Sequence, residues 1–266
     1  MTELIHRPAR LAMWRTPPSP LLVAHRGAEH CAPENTMAAF QAAVDSGADV
    51  VELDVQLSAD AVAVVVHDER VDRTTSGSGP VRAHSWHRLQ ELDAGSWFAP
   101  RFRGERIPRL ADVLSWAADH GTRLLVEVKT SPVFDPGAVP ALVDVFGDRE
   151  RDDVILYSSD HLLVAELAQC LPGIPRGVVV NERTPCLPEI LEATRADLLS
   201  QSTWCLTPDT VRYCHDTGRL VSAEARYPAD VPLLVDWGVD MIVTARTELP
   251  QLVEAVARNS GGDLPC

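Results

Sequence analysis

LLVAHRGAEHCAPENT, residues 21–36, sets four apolar residues against an abrupt polar stop. Leu21–Ala24 reads as a short buried strand, yet it ends on the imidazole of His25 beside the guanidinium of Arg26. Gly27 follows, and Pro33-Glu34-Asn35-Thr36 lead into an apolar stretch of helical period, with Thr36 placed to cap a helix from Met37. A buried strand that delivers charge at its C-terminal end and then gives way to a helix is the repeating unit of parallel α/β folds.

The unit recurs along the chain. Short apolar, β-branched runs lie at Val50–Leu57, Val62–Val66, Leu124–Val128, Val154–Tyr157, Gly177–Val180, Asp197–Ser200, Leu220–Ser222 and Met241–Thr244. Helical periodicity separates most of them, at Met37–Ser46, Leu110–His120, Ala138–Phe146, Leu162–Leu171, Pro208–Asp216 and Glu248–Arg258. Counting Val62–Val66 as a continuation of the second strand leaves eight strand–helix units, which predicts a closed (β/α)8 TIM barrel; an open doubly wound sheet is the alternative. The stretch from about residue 68 to 108 breaks the rhythm with a Ser76–Gly79 turn and two tryptophans. It reads as a small insertion after the second strand, inside a single domain spanning residues 1–266.

Residues two apart on a strand share a face, so Glu52 and Asp54 point one way while Val51, Leu53 and Val55 point the other. Two adjacent carboxylates flanked by apolar residues repel each other, and a divalent cation with a preference for oxygen, Mg²⁺ or Ca²⁺, relieves that repulsion. Glu127 and Lys129 repeat the spacing at the next strand end, and His67-Asp68 close the run from Val62. The barrel mouth therefore collects Glu52, Asp54, Glu127, Arg26, Lys129, His25 and His67. Cations beside a metal-binding carboxylate cluster neutralise a phosphodiester, and two imidazoles divide the proton transfers to nucleophile and leaving alkoxide. Glu34 and Asn35, in the first loop, are placed to orient a ring nitrogen or to complete the metal shell.

Composition narrows the class. The chain has 266 residues, 45% hydrophobic, with a formal net charge of −14. An acidic surface repels a nucleic-acid backbone, which leaves a small phosphodiester as the expected partner. The six cysteines are scattered, without metal-ligand spacing, and no stretch has the length of an apolar membrane span. With no apolar h-region near the N-terminus, the expectation is a cytoplasmic protein with reduced thiols and no membrane partner.

The set His25-Arg26-Gly27, Pro33-Glu34-Asn35-Thr36, Glu52-Leu53-Asp54-Val55, His67-Asp68 and Glu127-Val128-Lys129 resembles the glycerophosphodiester phosphodiesterase family. Arg73-Thr74-Thr75 with the Ser76–Gly79 turn, Leu92-Asp93-Ala94-Gly95 and Ile107-Pro108-Arg109-Leu110 fall where that family carries its insertion. The resemblance implies a (β/α)8 barrel that hydrolyses glycerophosphodiesters to glycerol 3-phosphate and an alcohol. It implies His25 and His67 as the acid/base pair, Glu52, Asp54 and Glu127 as ligands of one divalent cation, and Arg26 and Lys129 on the phosphate.

Two strand ends depart from the family pattern. Ala223-Glu224-Ala225-Arg226 stands where the family often reads Trp-Thr-Val-Asn, and Thr244-Ala245-Arg246-Thr247 where Thr-Asp-x-Pro is usual. The expectation is a roomier, more cationic pocket for the leaving alcohol. Two further readings compete. One is a catalytically silent barrel that binds a phosphate ligand, against which both histidines count. The other is a lysophospholipase D-like phosphodiesterase, which would need an exposed apolar or basic surface segment that the sequence does not reveal.

Overall fold

Buried apolar strands joined by helices pair in parallel, because a helical crossover returns the chain to the same edge of the sheet. The computed structural model describes residues 10–15, 19–130 and 136–245. Its strands are β1 (Leu21–Ala24), β2 (Val50–Leu57), β3 (Ala63–Val65), β4 (Arg123–Val128), β5 (Val154–Ser158), β6 (Arg176–Val179), β7 (Leu198–Ser202), β8 (Leu220–Glu224) and β9 (Met241–Thr244). The order β1-β9-β8-β7-β6-β5-β4-β2 is closed by a parallel β1–β2 pairing, Val23 opposite Val50, giving a (β/α)8 barrel. The barrel helices are α1 (Met37–Asp45), α2 (Leu110–His120), α3 (Ala138–Phe146), α4 (His161–Cys170), α5 (Leu187–Ala193), α6 (Pro208–Asp216) and α7 (Asp230–Trp237).

The run Val62–Val66 does not prolong β2. Its core, β3, folds back antiparallel, Val55 opposite Val65, as a hairpin arm outside the ring of eight. Helices α5 and α7 had no counterpart in the sequence reading. Each is short and carries a proline in its first turn, where the missing N–H costs nothing but the apolar period is interrupted. The helix expected over Glu248–Arg258 lies outside the described residues, as do Arg246, Thr247 and Cys266.

Strand parity divides the core. Val51, Leu53, Val55, Leu124, Val126 and Leu156 pack outward against helices, while Val23, Val50, Leu125, Ile155, Leu198, Leu220 and Met241 form a separate interior cluster. Leu11 and Trp14 join that interior cluster, and the Trp14 indole donates to the Asp152 carbonyl at 2.7 Å. At the N-terminal end one device repeats three times. The carboxylates of Asp49, Asp197 and Asp240 accept from the amides of Leu22, Arg176 and Val221 at 2.9, 3.1 and 2.7 Å. The amides of the same aspartates donate back to the carbonyls of those residues, pinning β1 to β2, β6 to β7 and β8 to β9.

The insertion after the hairpin has its own small core of Val64, Val66, Val71, Val81, Leu89, Leu92, Ala94 and Ile107. That core fixes the hairpin end, and with it His67, above the mouth. Among the described residues no helix is long and apolar enough to cross a membrane, and five cysteines are free thiols.

Candidate active site

The turn after β1 takes its shape from three residues in the left-handed region, Arg26 (φ 51°), Gly27 (φ 76°) and Asn35 (φ 56°). A Cβ on Gly27 would stand 2.7 Å from the carbonyl carbon of Ala39, so only glycine lets this turn sit against α1. Thr36 caps α1 as expected, accepting from the Ala39 amide. Arginine adopts positive φ at a cost, and here the Arg26 amide gains a 2.7 Å bond to Glu52 Oε2. The Arg26 side chain donates to Glu34 Oε1 at 2.9 Å and lies 3.3 Å from Asp54 Oδ2.

Parallel register sets Asp54 of β2 beside Glu127 of β4. One oxygen from each of Glu52, Asp54 and Glu127 lies within 4.8 Å of the others. Glu52 and Asp54 are fully buried and Glu127 is half-buried. Lys129 Nζ stands 2.7 Å from Glu127 Oε1 and 3.1 Å from Asp54 Oδ1. Asp54 Oδ1 is buried, with that ion pair in place of a directed hydrogen bond. Burial, with the Asp54 charge next, pushes the Glu52 carboxyl above the ordinary carboxylate range. Burial works the same way on Asp54, but Lys129 and Arg26 outweigh it and hold that carboxyl low. The mouth thus buries carboxylates that its own cations neutralise unevenly, a donor set with the hardness and spacing of a divalent-cation site.

Asn35 secures Asp54 from both sides, donating to Oδ2 at 2.8 Å and accepting from the Asp54 amide at 3.1 Å. Glu34 pairs with Arg26 and with Arg73 of the insertion. Of the residues that the sequence offered for ring orientation or the metal shell, Glu34 bonds Arg26 and Arg73, and Asn35 bonds Asp54. The ring nitrogens have other partners. His25 Nδ1 lies 2.6 Å from Glu29 Oε1 and His67 Nδ1 lies 2.8 Å from Asp68 Oδ1. Burial alone would lower the His25 pKa, but the Glu29 hydrogen bond and the Glu52 charge prevail and raise it to about 9.

The sequence reading assigns no role to three contributors, although Glu29 stands four residues after His25 and Arg73 lies in the insertion motif Arg73-Thr74-Thr75. They are Glu29 on His25, Arg73 on Glu34, and Tyr157, whose hydroxyl donates to Glu52 Oε1 at 3.0 Å from the end of β5. Burial and the neighbouring Glu52 charge keep that phenol protonated.

A cavity of about 120 Å³ opens beside His25 and Glu127, walled by Tyr157, Asn181, Ser202 and Arg226. Ala223 is not part of it. Its side chain is fully buried among Val221, Leu199 and Ile242 on the helix-facing side of the sheet, so it opens no pocket volume. Arg226 does line the mouth, but its Nε pairs with Glu224 Oε2 at 3.2 Å, so the expected cationic shift is offset by its neighbour.

The sequence profile of the glycerophosphoryl diester phosphodiesterase family matches residues 25–249. A glycerophosphodiester phosphodiesterase from Caldanaerobacter subterraneus is 33% identical over 226 residues, covering 84% of this chain and 93% of that one. A Bacillus subtilis relative is 55% identical over 162 residues, which are 60% of this chain and 65% of its own. Among solved structures, an Oleispira antarctica phosphodiesterase in complex with the product sn-glycerol-3-phosphate superposes with a TM-score of 0.81 at 27% identity. The match covers 90% of this chain and 97% of that one. On this match, and on a barrel whose mouth carries the expected motif residues, the chain belongs to the glycerophosphoryl diester phosphodiesterase family and is a phosphoric diester hydrolase.

Proposed function

We propose that the protein hydrolyses glycerophosphodiesters to glycerol 3-phosphate and an alcohol, using one divalent cation held by Glu52, Asp54 and Glu127. The observation that carries this reading is the cluster of three carboxylates, one oxygen of each within 4.8 Å of the others, bordered by Arg26 and Lys129. Mg²⁺ or Ca²⁺ fits such an all-oxygen set, and when bound supplies positive charge to the phosphate oxygens. Arg26 and Lys129 hold the remaining phosphate charge. Of His25 and His67, one takes the proton of the nucleophile and the other protonates the departing alkoxide. The carboxylate at each Nδ1 orients its ring and leaves Nε2 as the nitrogen outside that contact. Binding alone would not require this paired arrangement, which disfavours a silent ligand-binding barrel.

One observation favours the lysophospholipase D-like reading as a second possibility. Trp204 and Tyr227 follow β7 and β8 and are exposed on the loops at the mouth, where an acyl chain would lie. The test is a substrate panel of glycerophosphocholine, glycerophosphoinositol and lysophosphatidylcholine, assayed after chelation and after Mg²⁺ or Ca²⁺ add-back. Release of glycerol 3-phosphate only after add-back supports the main reading, and full turnover after exhaustive chelation refutes the metal's part in it.

A further inference from the structure

We propose that Arg73 of the insertion is the positioning residue that joins the two halves of this site, aiming His67 through Asp68 and Arg26 through Glu34. The inference rests on the roles proposed above for His67 and Arg26. One guanidinium grips two carboxylates. Its Nη1 and Nη2 donate to Glu34 Oε2 and Oε1 at 2.6 and 2.8 Å. Its Nε and Nη2 donate to Asp68 Oδ2 and Oδ1 at 2.6 and 2.9 Å. Each carboxylate then passes one of those oxygens on. Glu34 Oε1 also accepts from Arg26 Nη1, and Asp68 Oδ1 also faces His67 Nδ1. The chain of contacts runs from the imidazole at the hairpin end to the cation after β1, and Arg73 is its centre.

The geometry separates this role from an ordinary surface ion pair. The Arg73 side chain is 45% exposed and fills no core, so its contribution to folding is small. What it contributes is direction, since two-pronged donation to two acceptors fixes both carboxylate planes. A carboxylate opposite Nδ1 keeps the proton there and presents Nε2 as the working nitrogen. Hydrogen bonds from Arg73 lead the causes that hold Asp68 down at about 2, so it remains a charged acceptor throughout the neutral range. Lysine keeps the charge but offers a point donor without the planar fork.

The experiment compares full-length wild type, Arg73→Gln and Arg73→Lys in two ways. Diester hydrolysis is split into kcat and KM, and the ¹⁵N signals of the His67 ring are recorded without substrate or added metal. Outer partners of this kind are worth roughly 10- to 100-fold in activity. Both variants should lose about that in kcat/KM, with kcat falling through His67 and KM rising through Arg26, while thermal midpoints stay near wild type. The ring should shift from mainly Nδ1–H in wild type to a tautomer mixture in Arg73→Gln. Full recovery by Arg73→Lys would reduce the role to charge and overturn the proposal, as would unchanged ring signals. If wild type cleaves no glycerophosphodiester, the functional reading fails while the ring signals still decide the link from Arg73 to His67. If Arg73→Gln does not fold, Arg73→Lys carries both measurements.

Discussion

At the N-terminal end of the barrel, Asp49, Asp197 and Asp240 stand apart from one another, Asp197 alone fully buried and Asp49 exposed, and each is held by a backbone amide at a strand start. Side chains complete two of them, with Arg10 Nη2 at 2.7 Å from Asp197 and His215 Nε2 at 3.0 Å from Asp240. At the opposite end Glu52, Asp54 and Glu127 crowd together, one oxygen of each within 4.8 Å of the others. Both ends give their acids local donors, but at the base each acid stands alone, whereas at the mouth three share one place and burial with the Asp54 charge pushes the Glu52 carboxyl up. Desolvation is offset at the base and left partly uncompensated at the mouth. The base contributes stability, and the mouth holds charges poised for a ligand, the division of labour expected of the two faces of such a barrel.

If that division holds, variants at the two ends should separate activity from stability. The largest effect belongs to the imidazoles. His67→Ala, and separately His25→Ala, should lower kcat/KM roughly 10²- to 10⁴-fold with little change in urea midpoint. A p-nitrophenyl diester, whose leaving group departs unaided, should rescue whichever variant lacks the acid. Rescue of neither would break the pairing. At the base the expectation reverses. Asp197→Ala leaves the Arg176 amide and Arg10 without their acceptor and should cost about 3 kcal/mol in urea unfolding, with kcat/KM within about twofold of wild type.

Glu52→Gln sharpens the comparison, because it should lower activity and raise stability in one protein. The folded-state pKa of Glu52 is raised, so its ionisation disfavours folding as pH climbs above the unfolded carboxylate range. The metal-free variant should therefore gain in thermal midpoint over wild type at pH 8 and gain little at pH 4. Calorimetric titration with Mg²⁺ or Ca²⁺ should weaken. A variant that is less stable at pH 8 would mean that the mouth is as well compensated as the base.

How much of this was legible before folding depended on whether the signal was periodic or spatial. The strands were readable as β-branched runs, and the spacing of two that places Glu52 beside Asp54 is a property of any strand. The direction of Val62–Val66 was not readable, because an apolar run looks the same parallel or antiparallel. Ala223 was misplaced for want of the same parity rule, since it alternates with Ser222 and Glu224 and so faces the helices. Arg73 and Tyr157 act across loops or between strands, where sequence distance says nothing about approach, whereas Glu29 is four residues from His25 and its contact is local. The aspartate brackets at the base were written in the chain as Ala-Asp-Val, Ala-Asp-Leu and Val-Asp-Met, and their meaning emerges only with the pairing of strands.

The smallest expected effect lies on the pH axis, at the pair His25 and Glu29. The His25 pKa is raised to about 9 in the folded protein, above the ordinary imidazole value of about 6.5. A raised histidine contributes stability that is complete below about pH 6.5 and is lost as pH rises through about 9. About a quarter of the ring reaches solvent, so screening limits the pair to roughly 1 kcal/mol. Glu29→Gln removes the largest of the raising causes and leaves burial to pull the pKa down. At pH 6 the variant should be less stable than wild type by about that amount, and the two unfolding curves should converge above pH 9. Metal at the carboxylate cluster would screen the Glu52 charge but leave the Glu29 contact, so the difference at pH 6 should survive saturation with Mg²⁺ or Ca²⁺. A stability gap of constant size from pH 6 to 10 would mean that Glu29 acts by shape alone, and that the proton on His25 is not held by the pairing described here.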